Sequence, residues 1–68
     1  MTEQIKIALV KREMSAKQLA QILNTSPSNL YQKFKRDNFS EKELIEIADA
    51  LNCDFVGKFK MRDTGEEI

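Results

Sequence analysis

Hydrophobic residues recur at a spacing of three and four through most of the chain, which is the period of an amphipathic helix. The pattern predicts four helices before the chain changes character. The first is predicted from Glu3 to Arg12, with Thr2 as its cap and the Arg12 stem on the core with its charge in water. Ile22 and Ile45 are expected to widen the apolar stripes of the second and fourth helices.

Start and stop signals divide the remaining helical pattern into three segments. Serine caps are expected at three places, two of them as capping boxes and one followed by a first-turn proline: Ser15 with Gln18, Ser40 with Glu43, and Ser26 with Pro27. Asn24 and Asn52 follow the last apolar residues of two segments. Asparagine tolerates the left-handed conformation that ends a helix, so helices are expected to end there.

The tail has a different period, because apolar and polar residues alternate from Phe55 to Arg62. This alternation predicts one strand from Asp54 to Met61. An isolated strand cannot satisfy its own backbone, so we expect it to pair antiparallel with a second copy of the chain. The expected dimer residues share one face of that strand: Phe55, Gly57, Phe59 and Met61. The alternatives are a strand that folds back through the turn signal Asp63-Thr64-Gly65, and a partly disordered tail.

The second and third helices, joined by a short turn, predict a helix-turn-helix between Ser15 and Arg36. Ala20 is expected at the closest approach of the two helices, with Leu30 and Phe34 turned inward on the third. The residues that then point away from the core are polar: Ser28, Asn29, Gln32 and Lys33. A helix of this kind suits the major groove of DNA.

Charge is unevenly distributed, although the net charge is zero. Residues 1–39 hold seven basic and three acidic side chains, and residues 40–68 hold four basic and eight acidic ones. The basic half coincides with the predicted helix-turn-helix, and a local basic face is what binding to DNA phosphates requires. The alternative is an ordinary solvated surface of mixed charge.

The segment from Ser15 to Phe34 resembles the helix-turn-helix of the lambda-repressor and Cro-like regulators. Ala20, Leu30 and the capped third helix fall in register, and Asn24 stands where glycine is usual. The segment from Phe39 to Cys53 is similar to the family's fourth helix. The resemblance covers residues 3–53 and implies a mainly α, four-helix domain in residues 1–53. Residues 54–68 would form a C-terminal strand and tail, a departure from members that have a fifth helix.

The resemblance implies a set of DNA contacts by position in this sequence. Base edges would be contacted by residues at the start of the third helix and one turn later: Pro27, Ser28, Asn29 and Gln32. Phosphates would be contacted by residues that flank the groove: Lys17, Tyr31, Lys33, Lys35, Arg36 and Asn38. Asparagine and glutamine can pair bidentately with adenine. The alternative for each is a solvated surface role, partial burial for Tyr31 or a loop turn for Asn38.

Other function classes find little support in the residues. The chain has no histidine, one cysteine (Cys53, expected to be buried) and two glycines that form no phosphate loop. We therefore expect no enzyme activity, no metal, no cofactor and no small-molecule substrate. No long apolar run or signal-peptide pattern is present, so we expect a cytoplasmic protein without membrane contact.

Two functions are compatible with these features. The first is a sequence-specific regulator of the repressor type that binds double-stranded DNA as a homodimer, in a phage, a mobile element or a host genome. The alternative is a protein-interaction module of the same fold, such as an antitoxin or anti-repressor. The polar and basic residues of the third helix favour the first function.

Overall fold

Four helices and a β-hairpin make up the computed structural model, which describes residues 1–68. The elements in chain order are α1 (Thr2–Lys11), α2 (Ala16–Ile22), α3 (Pro27–Arg36), α4 (Glu41–Ala50), β1 (Cys53–Phe55) and β2 (Phe59–Met61). The four predicted helices are confirmed, and α1 is displaced by one residue from its predicted bounds. The fold is therefore mainly α, with a small antiparallel sheet at the C-terminal end.

Both predicted capping boxes are present and explain where α2 and α4 begin. The Ser15 hydroxyl accepts the Gln18 backbone N–H at 3.1 Å, and the Gln18 side chain accepts the Ser15 N–H at 2.8 Å. Ser40 and Glu43 make the same reciprocal pair at 3.1 and 3.0 Å. Each box satisfies two backbone N–H groups that would otherwise lack a partner at the helix start.

Left-handed residues end the helical segments. Asn24 (φ 57°) and Asn52 (φ 56°) adopt this conformation, as their sequence positions predicted. Glu13 (φ 53°) and Asp37 (φ 50°) do so as well, at positions without a favourable sequence signal. Hydrogen bonds from Met1 and Thr2 to the Asp37 carboxylate hold the second of these turns in place.

Thr2 was predicted as the cap of α1, and this prediction is wrong. Thr2 lies inside the helix and is buried, and Met1 precedes it as the N-cap without a side-chain bond. The Thr2 hydroxyl donates to the Phe34 carbonyl and is 2.8 Å from Asp37 Oδ1, which also accepts the Thr2 N–H at 2.9 Å. Asp37, distant in sequence, thus provides the cap and joins the start of α1 to the end of α3.

Arg12 was expected to direct its charge to water, and it does not. Its guanidinium donates to the carbonyls of Leu51 and Asn52 at 2.8 and 2.9 Å, where α4 ends. It also makes a bidentate ion pair with the Asp63 carboxylate at 2.8 and 2.9 Å. The Arg12 hydrogen bonds hold the pKa of the Asp63 carboxyl below its usual range. One side chain therefore connects α1, the end of α4 and the C-terminal segment.

The hydrophobic core draws on all four helices and on the hairpin. Its buried members are Ile5, Ala8, Leu9, Leu19, Ala20, Leu30, Phe34, Leu44, Ile47, Ala48, Leu51, Cys53, Phe59 and Met61. Cys53 is buried and free, as expected. Ile22 and Ile45 were expected to widen the apolar stripes, but they are 55% and 50% exposed. The core also spans both sides of the boundary predicted between residues 53 and 54.

The tail is a hairpin, so the prediction of one strand from Asp54 to Met61 is wrong. Residues 53–55 pair antiparallel with residues 59–61, and Phe55 faces Phe59 across the pair. The chain reverses at Gly57, whose φ of 78° favours glycine. After β2 it turns again at residues 62–65, where the turn signal stood, and an isolated bridge joins Lys60 to Glu67.

The hairpin changes the environment of the predicted dimer residues. Phe59 and Met61 are 0% and 4% exposed within a single chain, because β2 turns them onto the core. Phe55 is half-buried, and Gly57 lies in the exposed turn. The backbone of the strand finds its partner within the chain, so its hydrogen bonds do not require a second copy.

Candidate nucleic-acid interface

A short turn between α2 and α3 fixes the angle at which α3 leaves the core. Asn24 takes the left-handed conformation, and the Thr25 N–H returns to the Ala20 carbonyl at 3.0 Å. Ser26 caps α3 by accepting the Asn29 N–H at 3.1 Å, and Pro27 occupies the first turn, as predicted. Helix α3 therefore begins at a defined residue.

The inner face of α3 is held firmly against the rest of the domain. Leu30 and Phe34 are 2% and 8% exposed, and Ala20 on α2 is fully buried. A small side chain at a buried position between helices allows a close approach, which is the role predicted for Ala20. The Phe34 ring also contacts the tilted Phe39 ring, with centroids 6.0 Å apart, just ahead of α4. These contacts leave α3 little freedom to rotate.

The outer face of α3 is polar and open to solvent. All four residues predicted to contact bases are exposed: Pro27, Ser28, Asn29 and Gln32. Asn29 and Gln32 line one shallow groove that has no hydrophobic residue in its lining. The rest of that lining is formed by Thr25, Lys33, Arg36 and Asn38. The structure thus brings two predicted base-contacting amides together with three of the residues predicted to contact phosphates.

The basic side chains predicted to contact phosphates differ in whether they form an ion pair within the chain. Lys17, Lys35 and Arg36 are exposed and form no ion pair within the chain. Lys33 instead pairs with Glu43 at the start of α4. The hydrogen bond from Lys33, followed by that from the Ser40 backbone, lowers the pKa of the Glu43 carboxyl.

Tyr31 lies at the border of the polar face. Its ring meets the Phe34 ring edge-on at 6.3 Å and 77°, yet the residue is 55% exposed. The Tyr31 ring therefore packs against Phe34, while part of the side chain remains exposed to solvent. The Lys6 ammonium lies 6.0 Å from the centroid of the buried Phe34 ring and brings a charge from α1 towards this region.

Residues 4–57 match the model of the Cro/C1-type HTH DNA-binding domain family. The chain belongs to this family. The match extends from α1 to the turn of the hairpin, so it includes the whole helix-turn-helix and α4. Membership shows that the protein is a DNA-binding domain, in agreement with the predicted resemblance and with the exposed polar face of α3. No curated protein and no solved structure matches the chain.

Sequence reasoning missed two residues at or next to the polar groove of α3, Thr25 and Glu43. Thr25 lies in the turn and lines the polar groove beside Asn29, although only its position next to the Ser26 cap could have indicated this. Glu43 was recognised as a capping residue alone. Its pairing with Lys33 depends on how α4 packs against α3, for which the sequence offers no local signal.

The structure contains neither a metal-binding cluster nor a membrane-spanning helix. No group of three or more His, Cys, Asp or Glu side chains is arranged to hold a metal ion. None of the helices has the length and apolar character that a membrane crossing requires.

Proposed function

We propose that this protein is a sequence-specific transcriptional regulator of the repressor type that places α3 in the major groove of double-stranded DNA. The observation that carries the proposal is the exposed, wholly polar groove along a capped and firmly packed α3. It acts without catalysis or cofactor, in the compartment that holds the DNA, the cytoplasm.

Base recognition falls to the first turns of α3. Asn29 and Gln32 are three residues apart and project from one face of α3. Each amide can donate an N–H to adenine N7 and accept the adenine N6–H with its carbonyl oxygen. Ser28 donates or accepts at a neighbouring base edge. Pro27 offers apolar contact to a thymine methyl. The Ser26 cap supports this assignment because it fixes the helix start to which these side chains are attached.

Backbone contacts come from the side chains that surround the groove. Lys17 approaches one phosphate strand from the start of α2, and Lys35 and Arg36 extend from the last turn of α3. None of these three side chains forms an ion pair within the chain, which supports this role. Each can bind a phosphate without first breaking an ion pair. Tyr31 and Asn38 donate hydrogen bonds to phosphates at the borders. Lys33 is also predicted to contact a phosphate, and it must leave its ion pair with Glu43 to do so.

The working form is proposed to be a homodimer that binds a palindrome, since one helix-turn-helix covers few base pairs. The exposed side of the hairpin supports this form, with Phe55 and Gly57 available there. Phe59 and Met61 would contribute only by supporting the hairpin from within. Ile45 and Val56, 50% and 61% exposed, line the same open groove as Phe55. Val56→Glu should leave the domain folded and shift sedimentation to the monomer.

Selection from a randomised duplex pool tests the function. We expect enrichment of a palindrome whose affinity falls steeply with salt and is lost in the Asn29→Ala, Gln32→Ala double variant. No enrichment, with weak binding to every sequence, would contradict the proposal. That outcome would favour a protein-interaction module such as an antitoxin.

A further inference from the structure

Lys33 stands where two surfaces of the domain meet. It lines the polar groove of α3 together with Gln32 and Arg36. It also lines a second, partly apolar cavity of about 120 Å³ that reaches Glu43 and Glu46 on α4. Its side chain is 44% exposed, so the ammonium is accessible to solvent and to a ligand in the groove.

Glu43 is fixed where it meets this lysine. One carboxylate oxygen, Oε1, accepts the Ser40 N–H at 3.0 Å in the capping box. The other, Oε2, pairs with the Lys33 ammonium. The carboxylate therefore does not follow the lysine if the lysine moves towards DNA, because the capping bond holds it at the start of α4.

Lys33 differs in this respect from the other basic residues assigned to phosphates. Lys17, Lys35 and Arg36 form no ion pair within the chain, and Lys33 does. A lysine that remains on a protein carboxylate displaces no counterion from DNA, and the electrostatic part of DNA affinity comes from that displacement.

We propose that Glu43 withholds the Lys33 ammonium from the DNA backbone and so limits how strongly the protein binds DNA of any sequence. The inference rests on the proposed function, because it requires α3 to lie against DNA. A phosphate contact of this kind carries no sequence information. Withholding it lowers the affinity for non-specific DNA without removing any base contact, which helps a small regulator to leave wrong sites.

Glu43→Gln tests this inference without disturbing the helix start. A glutamine can make the capping bond, as Gln18 does in the other box of the same chain. The variant should make the slope of log affinity against log salt steeper by about 0.9. At 0.1 M salt this corresponds to about eightfold tighter binding to a random duplex. The factor by which affinity falls between 50 and 200 mM salt should be about 3.5 times larger than for the unmodified protein.

Two matched variants separate the proposed contact from a general effect of charge. Glu41→Gln removes the same charge from the first turn of α4, where Glu41 has no ion pair, and should leave the slope unchanged. Glu43→Gln combined with Lys33→Met should return the slope to that of the unmodified protein. Circular dichroism confirms in each case that the fold is intact.

The outcomes distinguish failure of this inference from failure of the proposed function. If the unmodified protein binds DNA with a steep salt slope and Glu43→Gln leaves that slope unchanged or shallower, the inference is wrong and the function stands. An equal gain from Glu41→Gln would overturn it too. If the unmodified protein shows no salt-dependent binding to DNA, the proposed function itself fails.

Discussion

Replacing Phe59 by alanine is expected to destabilise the protein strongly, because its ring belongs to the core of a single chain. The residue is 0% exposed and is among the largest fully buried side chains. Its ring lies 5.5 Å from that of Phe55, its partner across the hairpin. The substitution removes the apolar contacts of the ring and leaves a cavity between the hairpin and the helices.

The expected loss is a large part of the total stability. A buried Phe→Ala change costs about 3–5 kcal/mol. A domain of 68 residues has a free energy of unfolding of about 3–10 kcal/mol at 0.05–0.15 kcal/mol per residue. At about 4–8 °C per kcal/mol, the melting temperature should fall by at least about 12 °C.

Urea unfolding at several protein concentrations measures this effect and separates two roles for Phe59. A core residue lowers stability by the same amount at every concentration. Lys60→Ala, at an exposed position of the same strand, is the matched control and should change stability by less than about 0.5 kcal/mol. If Phe59→Ala left the monomer as stable as before and only abolished a concentration dependence, Phe59 would be a dimer contact and the hairpin would be wrong.

Three further predictions test the contacts that position the helices. Arg12→Met should lower the melting temperature more than Asp63→Asn does, because it also removes two hydrogen bonds to carbonyls at the end of α4; equal effects would limit the role of Arg12 to the ion pair. Ala20→Leu should cost about 1–3 kcal/mol in urea unfolding by overpacking α2 against α3, and an unchanged midpoint would refute the close approach. Hydrogen bonds from the Thr2 side chain and backbone lower the pKa of Asp37 from 3.8 to about 2. That contribution to stability is present above about pH 4 and is lost progressively as the pH falls through about 2. Asp37→Asn should therefore be less stable at pH 6 and approach the unmodified protein near pH 2; a pH-independent difference would contradict this.

Local chemistry made the helix-turn-helix predictable. A capping box places two side chains and two N–H groups within four consecutive residues, so Ser15 and Gln18 specify a helix start without tertiary information. The same holds for Asn24, whose side chain tolerates the turn that the chain must make. Exposure of Asn29 and Gln32 then follows from the helical period once Leu30 is assigned to the core.

Contacts between distant segments could not be predicted in the same way. Asp37 caps α1 from the far end of α3, and Arg12 reaches the end of α4, so neither partner is adjacent in sequence. Phe55 to Arg62 alternates as a single strand would, but Gly57 lies at the reversal and permits two short strands with the same alternation. Periodicity alone does not distinguish these arrangements, because side chains on paired strands keep a period of two.

The central claim is that the polar face of α3 reads base edges, and a comparison of specific with non-specific affinity tests it most directly. Affinities for the selected palindrome and for a random duplex should be measured at two salt concentrations, for the unmodified protein and for the Asn29→Ala, Gln32→Ala double variant. The double variant should lose about 1–3 kcal/mol of discrimination for each base contact and keep its affinity for random DNA and its salt slope. An equal loss on both duplexes, or full retention of the preference for the palindrome, would contradict the claim.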